Sequence, residues 1–256
     1  MSTQFSRDFL IEVAKGNIAK HSIIHKFGKA SVGTTLQPVT SSGTYQTPTT
    51  ATALEFVSSS ANDTSAGSGA REVTVLGLNS SWAEVSQTVT TSGTTPVNLT
   101  TDLIRLYRWY VSSSGTYATE SAGSHSGTLT IRTQDAVTDW STITITPFAK
   151  GQSEIGVYTI PTGKTGYLLS QHITVDSSKV VDIVFFQRPL ADDVSTPYSG
   201  AMRVINQFIG LAGPEDLSPK SPIGPLVGPC DIGFMGKVSA STGDVSVDFE
   251  ILLVDD

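Results

Sequence analysis

The sequence predicts an all-β protein built as two antiparallel β-sandwiches of jelly-roll type. Three observations lead there. Charged side chains are 15% of the 256 residues, against roughly 25% in an average soluble protein, and 33 Ser and 33 Thr supply the polar surface instead. Helix surfaces are dressed with Glu, Lys, Gln and Arg, so this composition argues against helices. Apolar residues make up 38% and fall in short regular runs, unlike the depleted composition of disordered chains. Finally, apolar and polar residues alternate with period two in segment after segment, the pattern of strands with one buried and one wet face.

In chain order, residues 9–14 (FLIEVA) and 21–27 (HSIIHKF) open as strands, followed by 52–57 and 71–76. Segments 84–91 and 103–111 come next, the second carrying Tyr107, Trp109 and Tyr110. Residues 128–132 and 142–146 alternate Leu or Ile with Thr, as clean a half-buried pattern as the chain contains. Further strands follow at 154–160, 166–175, 179–187, 201–211, 231–240 and 244–251. Turn residues separate them: Gly93, Gly115, Asp176 and Gly243. Pro161-Thr162-Gly163 between two strong segments predicts a tight hairpin with Gly163 at positive φ. Residues 212–230 hold Pro214, Pro219, Pro222, Pro225 and Pro229, and are expected to form an irregular loop. About fourteen strands exceed the seven to nine of a single sandwich. The expected division is therefore an arm or first strands over 1–30, one sandwich over 31–150 and a second over 151–256.

Motifs for chemistry are missing where composition would allow them. The lone Cys230 excludes an internal disulfide or a Cys-based zinc site. His21 and His25 share a face if 21–27 is a strand, but then lie roughly 13 Å apart, too far to chelate one ion. His125 sits in a Gly/Ser loop and His172 beside Gln171. No Gly-x-Ser-x-Gly elbow, phosphate loop or dinucleotide fingerprint occurs. The carboxylate pairs Asp192-Asp193 and Asp255-Asp256 belong to a loop and a terminus. The expectation is a non-enzyme with no cofactor and no metal. The net charge of −7 disfavours direct nucleic-acid binding. The opening residues lack a signal-peptide pattern, and no run approaches the 18 apolar residues of a membrane span.

Two groups of residues are candidates for recognition. Residues 1–30 carry Arg7, Lys15, Lys20, Lys26 and Lys29 against Asp8 and Glu12, whereas the rest of the chain is strongly acidic. Phe5, Phe9 and Ile11 with Lys15, Lys20, Lys26 and Lys29 are thus candidates for an assembly arm that packs on an acidic neighbouring copy. Trp82, Trp109 and Trp140 fit either core packing or, if exposed, a platform for stacking on glycans.

The stretch 54–100 carries a distinctive order: Ser59, Asp63, Gly67, Gly69, Ala70 and Arg71, then Val73 and Val75, Gly77-Leu78, Trp82, Glu84, Val89 and Gly93-Thr94-Thr95. It resembles a segment found in structural proteins of marine tailed bacteriophages, and GQSEIGVYTIPTGKTGYLL at 151–169 is similar to a second segment of those proteins. The resemblance implies a virion structural protein without catalytic residues, in the shell, a decoration, the neck or the tail. It would be assembled in the host cytoplasm as a homo-oligomer and with other virion proteins. Two other readings stand beside it: a fibre or receptor-binding module engaging host glycans, and a double jelly-roll major capsid protein.

Overall fold

The structure is a computed structural model describing residues 8–256 apart from Gly43, Glu120, Ser121, Phe148, Ser177 and Lys220; Phe5 lies outside the described residues. Among the described residues a single short helix, α1 (Phe9–Ala14), precedes seventeen strands, all of whose pairings are antiparallel. The expected strand at 9–14 is thus a helix. Asp8 caps it, its carboxylate accepting the Ile11 amide at 3.2 Å, and the run lacks the sheet neighbour that would stabilise it as a strand.

The strands are β1 (His21–Val32), β2 (Gln37–Pro38), β3 (Leu54–Ser58), β4 (Ala70–Leu78), β5 (Glu84–Thr90) and β6 (Val97–Asn98). Then come β7 (Arg105–Ser114), β8 (Leu129–Thr133), β9 (Asp139–Ile143), β10 (Val157–Ile160), β11 (Lys164–Val175) and β12 (Val181–Pro189). The series ends with β13 (Arg203–Leu211), β14 (Pro214–Leu217), β15 (Ile223–Val227), β16 (Cys230–Val238) and β17 (Gly243–Asp255).

They form four sheets around two principal cores. In the main lobe one sheet runs β1-β17-β11-β14, with β15 also on β11; the other runs β10-β16-β12-β13, with β2 also on β16. Phe185, Phe234 and Phe249 meet edge-on between the sheets, with ring centroids 4.8, 5.3 and 5.8 Å apart. The second lobe packs β6-β3-β8-β9 against β5-β4-β7. Its core centres on Phe56 and Trp109, whose indole N–H donates to Ser141 at 2.9 Å.

The lobes are nested, not consecutive. β1 pairs with the last strand along its whole length, from His21 opposite Val254 to Val32 opposite Gly243. β2 and β10 lie in line on β16: Gln37 and Pro38 face Gly236 and Met235, and Val157 to Ile160 face Gly233 to Cys230. They are two halves of one strand, and the second lobe is inserted between them where Thr40 bridges Ile155. The boundary at 31 therefore divides segments that the sheets join. Alternation marks a strand but not its partner, and this partner lies at the far end of the chain.

Two local expectations also change. Pro161-Thr162-Gly163 does turn the chain, with Gly163 at φ +70°, but β10 and β11 belong to opposite sheets, so the turn is an arch and no hairpin. Residues 212–230 are not irregular throughout. β14 and β15 pair with successive parts of β11, Gln171–Thr174 and Thr165–Leu168. They occupy a sheet edge, where a proline's missing N–H is tolerated.

Candidate functional site

Among the described residues, three of the buried charged side chains, Lys26, Arg105 and Asp231, lie in the seam between the two lobes. Arg105 on β7 and Asp231 on β16 form a bidentate pair, Nε to Oδ1 at 2.9 Å and Nη2 to Oδ2 at 3.0 Å, with both side chains almost fully buried. Asp231 also accepts the Thr159 hydroxyl at 2.6 Å, and Arg105 donates to the Ile104 and Pro48 carbonyls. The guanidinium lies 4.7 Å above the Trp82 ring. Asn79 holds the Trp82 turn by accepting the Ser81 and Ala83 amides, which allows Trp82 its φ of +59°. The Trp82 carbonyl then accepts the Thr162 amide of the main lobe at 3.1 Å. Tyr107 and Tyr158, one from each lobe, meet edge-on at 5.0 Å, and both donate to Glu84 at 3.4 Å. Burial, the nearby Glu84 charge and these bonds push both phenols above their ordinary range. Leu78, Trp82, Ile104 and Tyr107 join the main-lobe core, so a continuous apolar layer crosses the seam.

Lys26 on β1 enters the same seam. It is only 3% exposed, donates to the Tyr107 carbonyl and lies 5.6 Å from that ring's centroid. Burial, assisted by the Arg108 charge, lowers its ammonium to about 7. A lysine in that setting is unavailable to a neighbouring subunit, which corrects its place in the expected arm. Inward residues of β1 face the core, and Lys26 alternates onto that side.

The remaining arm candidates scatter. Phe9 and Ile11 stand out from α1, 48% and 53% exposed, and Phe9 meets the His21 ring edge-on at 5.7 Å. Lys15 pairs with Glu12 at 3.3 Å, Lys20 donates to the Asp256 carbonyl at 3.1 Å, and Lys29 is half-buried on β1. The three tryptophans are interior: Trp82 is 7% exposed, Trp109 0% and Trp140 5%. The glycan platform is thereby corrected, because buried rings present no face for stacking.

The motif that carries the sequence resemblance closes on Asp63. Its carboxylate accepts the Ala70 and Ser126 amides on one oxygen and the Gly127 amide and Ser58 hydroxyl on the other, at 2.5–2.9 Å. A Cβ on Gly69 would lie 2.0 Å from Asp63 Oδ1, so only glycine fits there. Arg71 Nε donates to the Gly67 carbonyl at 2.9 Å. These residues tie a loop to the second lobe's sandwich, a structural task.

Elsewhere, His172 shares a hydrogen bond with Asp216 through Nδ1, while its Nε2 lies 3.1 Å from Thr174 Oγ1. The bond to Asp216 raises the imidazole above its usual range. The trio has the order nucleophile, base, carboxylate, but lies on an open sheet face outside the clefts described below. Burial pushes the Cys230 thiol up to about 12, which leaves it protonated and inert. Among the described residues, no three His, Cys, Asp or Glu side chains form a group suited to a metal, and no helix is long and apolar enough to cross a membrane.

No family model matches the chain, and no curated protein does. Among solved structures, the T=1 particles derived from infectious bursal disease virus align over 92% of this chain and 74% of theirs, with 10% identity and a TM-score of 0.21. The VP2 subviral particle of the same virus aligns over 92% and 77%, with 10% identity and a TM-score of 0.18. At that similarity neither fold nor function is carried over to this chain.

Proposed function

We propose that this protein is a non-enzymatic structural component of a bacteriophage virion, acting by assembly with its own copies and other virion proteins. The observation that carries the reading is the strand order of the main lobe. Count β2 with β10 as one strand and β14 with β15 as another; eight strands result. In chain order the two sheets are 1-8-3-6 and 2-7-4-5, the order of two nested Greek keys, a jelly roll. Capsid proteins use this architecture, as do lectins and cupins, so the fold narrows function without fixing it. The phage-like motif at 54–100, the interior tryptophans and the apolar side chains on the β13 edge favour assembly over glycan binding. Val204 and Ile209 on β13 and Val180 beside Gly210 are 56, 75 and 54% exposed, apolar surface that a subunit contact would cover. The second lobe has seven strands in sheets of four and three and is inserted in the first, which weighs against a double jelly roll of two consecutive barrels.

Mass spectrometry and a density map of purified particles test the reading. The expected result is a stoichiometric, symmetric set of copies of this chain. Its absence from particles, with a strictly monomeric species in light scattering at high concentration, overturns it.

A further inference from the structure

We propose that the cleft between β1 and β7 binds a small ester of a tetrahedral oxyanion, sulfate or phosphate, on Arg108 and Lys26. The cleft has a volume of about 330 Å³ and is lined by His25, Lys26, Phe27, Arg108, Gln152 and Ser153. This is within the size range of small-ligand sites, and its lining holds three basic residues and no acidic one.

The donors there are largely uncommitted. The Arg108 guanidinium lies 5.9 Å from the Tyr110 ring and makes no ion pair among the described residues. Lys26 spends one N–H on the Tyr107 carbonyl and, as an ammonium, has two more. Ser153 Oγ accepts the Trp109 amide at 3.0 Å, which leaves its own O–H to donate. These groups approach from three segments, which suits a tetrahedral acceptor better than a planar one. A bare anion would leave much of the cleft unfilled, and Phe27 offers an apolar wall for the body of an ester.

The acids nearby are otherwise engaged. Asp248 lies 3.8 Å from His25 Nε2 on the neighbouring strand. Glu84 lines an adjoining cleft together with His25, Lys26, Tyr107 and Arg108. It accepts the Tyr107 and Tyr158 hydroxyls and faces Lys164 at 3.8 Å.

Burial first, and then the like charge of Arg108, keep Lys26 at about 7 in the empty cleft. An anion in contact with both groups counters the repulsion and favours the ammonium. Binding at pH 8 therefore takes up a proton.

Calorimetry with inorganic sulfate, which does not titrate in this range, tests the site. Titrations run at pH 8 in two buffers of different ionisation enthalpy, at constant ionic strength against chloride, with acetate as the planar comparison. The expected result is saturable sulfate binding, tighter than acetate, with uptake approaching one proton. Arg108→Gln, an exposed position, should weaken it at least tenfold. Lys26→Met, which keeps the buried stem, should weaken it and abolish the uptake. No saturable binding, binding unchanged by Arg108→Gln, binding without proton uptake, or acetate as tight as sulfate would each overturn the proposal.

Discussion

Single side chains in the seam set how stability depends on pH. Lys26 titrates at about 7 in the folded protein, against an ordinary 10.5 in the unfolded chain. Between those values the unfolded state binds the extra proton, so this group makes stability rise with pH from about 7 toward 10. Below 7 the buried ammonium imposes its full cost. The shift corresponds to a difference on the order of 5 kcal/mol. Tyr45, Tyr107 and Tyr158 act above that window: burial holds their hydroxyls protonated, and stability is lost once unfolded tyrosines ionise near 10. Lys26→Met should flatten the rise between pH 7 and 10 and stabilise the protein at pH 7, as read from urea midpoints at successive pH values. A slope unchanged by the substitution would show that the ammonium is solvated.

At the level of elements, β1 decides what the N-terminal region does. It contributes twelve paired residues to β17 and carries Ala30 and Val32 into the main core, whereas α1 buries little beyond Val13 and Glu12. Deleting residues 1–18 should leave a folded protein, with a loss of about 1–2 kcal/mol for Val13 and its contacts. Deleting 1–30 should unfold the main lobe, because β17 loses its neighbour and the core opens. Circular dichroism and thermal melts of the two truncations check this. The strands themselves were largely legible: 128–132 and 244–251 fall within or beside β8 and β17 because half-buried alternation is a local property. The partner of β1 was not legible, since pairing over nearly the whole chain leaves no mark in a short window. The same limit applies to the seam. Nothing in the sequence around Arg105 or Asp231 marks either as the other's partner, and Lys26 counts as one more arm lysine. Trp82 carried a signal in its Asn79-Ser80-Ser81 turn, but nothing in that turn identifies the ring's companion as a guanidinium.

For the molecule as a whole, the shared core and the Arg105–Asp231 pair predict that the two lobes unfold together. Calorimetry of the intact protein should give one transition. Asp231→Ala leaves the guanidinium buried without its counter-charge, at a cost of about 3–5 kcal/mol. It should lower the transition and separate it into two, the second lobe melting apart from the main one; a single transition at unchanged temperature would mean the pair contributes nothing to the coupling. The nesting also governs the order in which the chain can fold as it leaves the ribosome. β3 to β9 are contiguous and can close their sandwich once residue 143 has emerged. The main lobe must wait, since its first strand needs its last, and Lys20 reaches the Asp256 carbonyl 236 positions away. Until then β1 hangs from the tunnel as an unpaired apolar edge, the period in which neighbouring nascent chains are most able to capture it. The inserted lobe, already compact, brings Thr40 and Ile155 side by side and so holds the two halves of the split strand in line before β16 is made. Late synthesis of the partner strand then becomes a short final closure, because the insertion has taken most of the intervening chain out of the loop that must be closed.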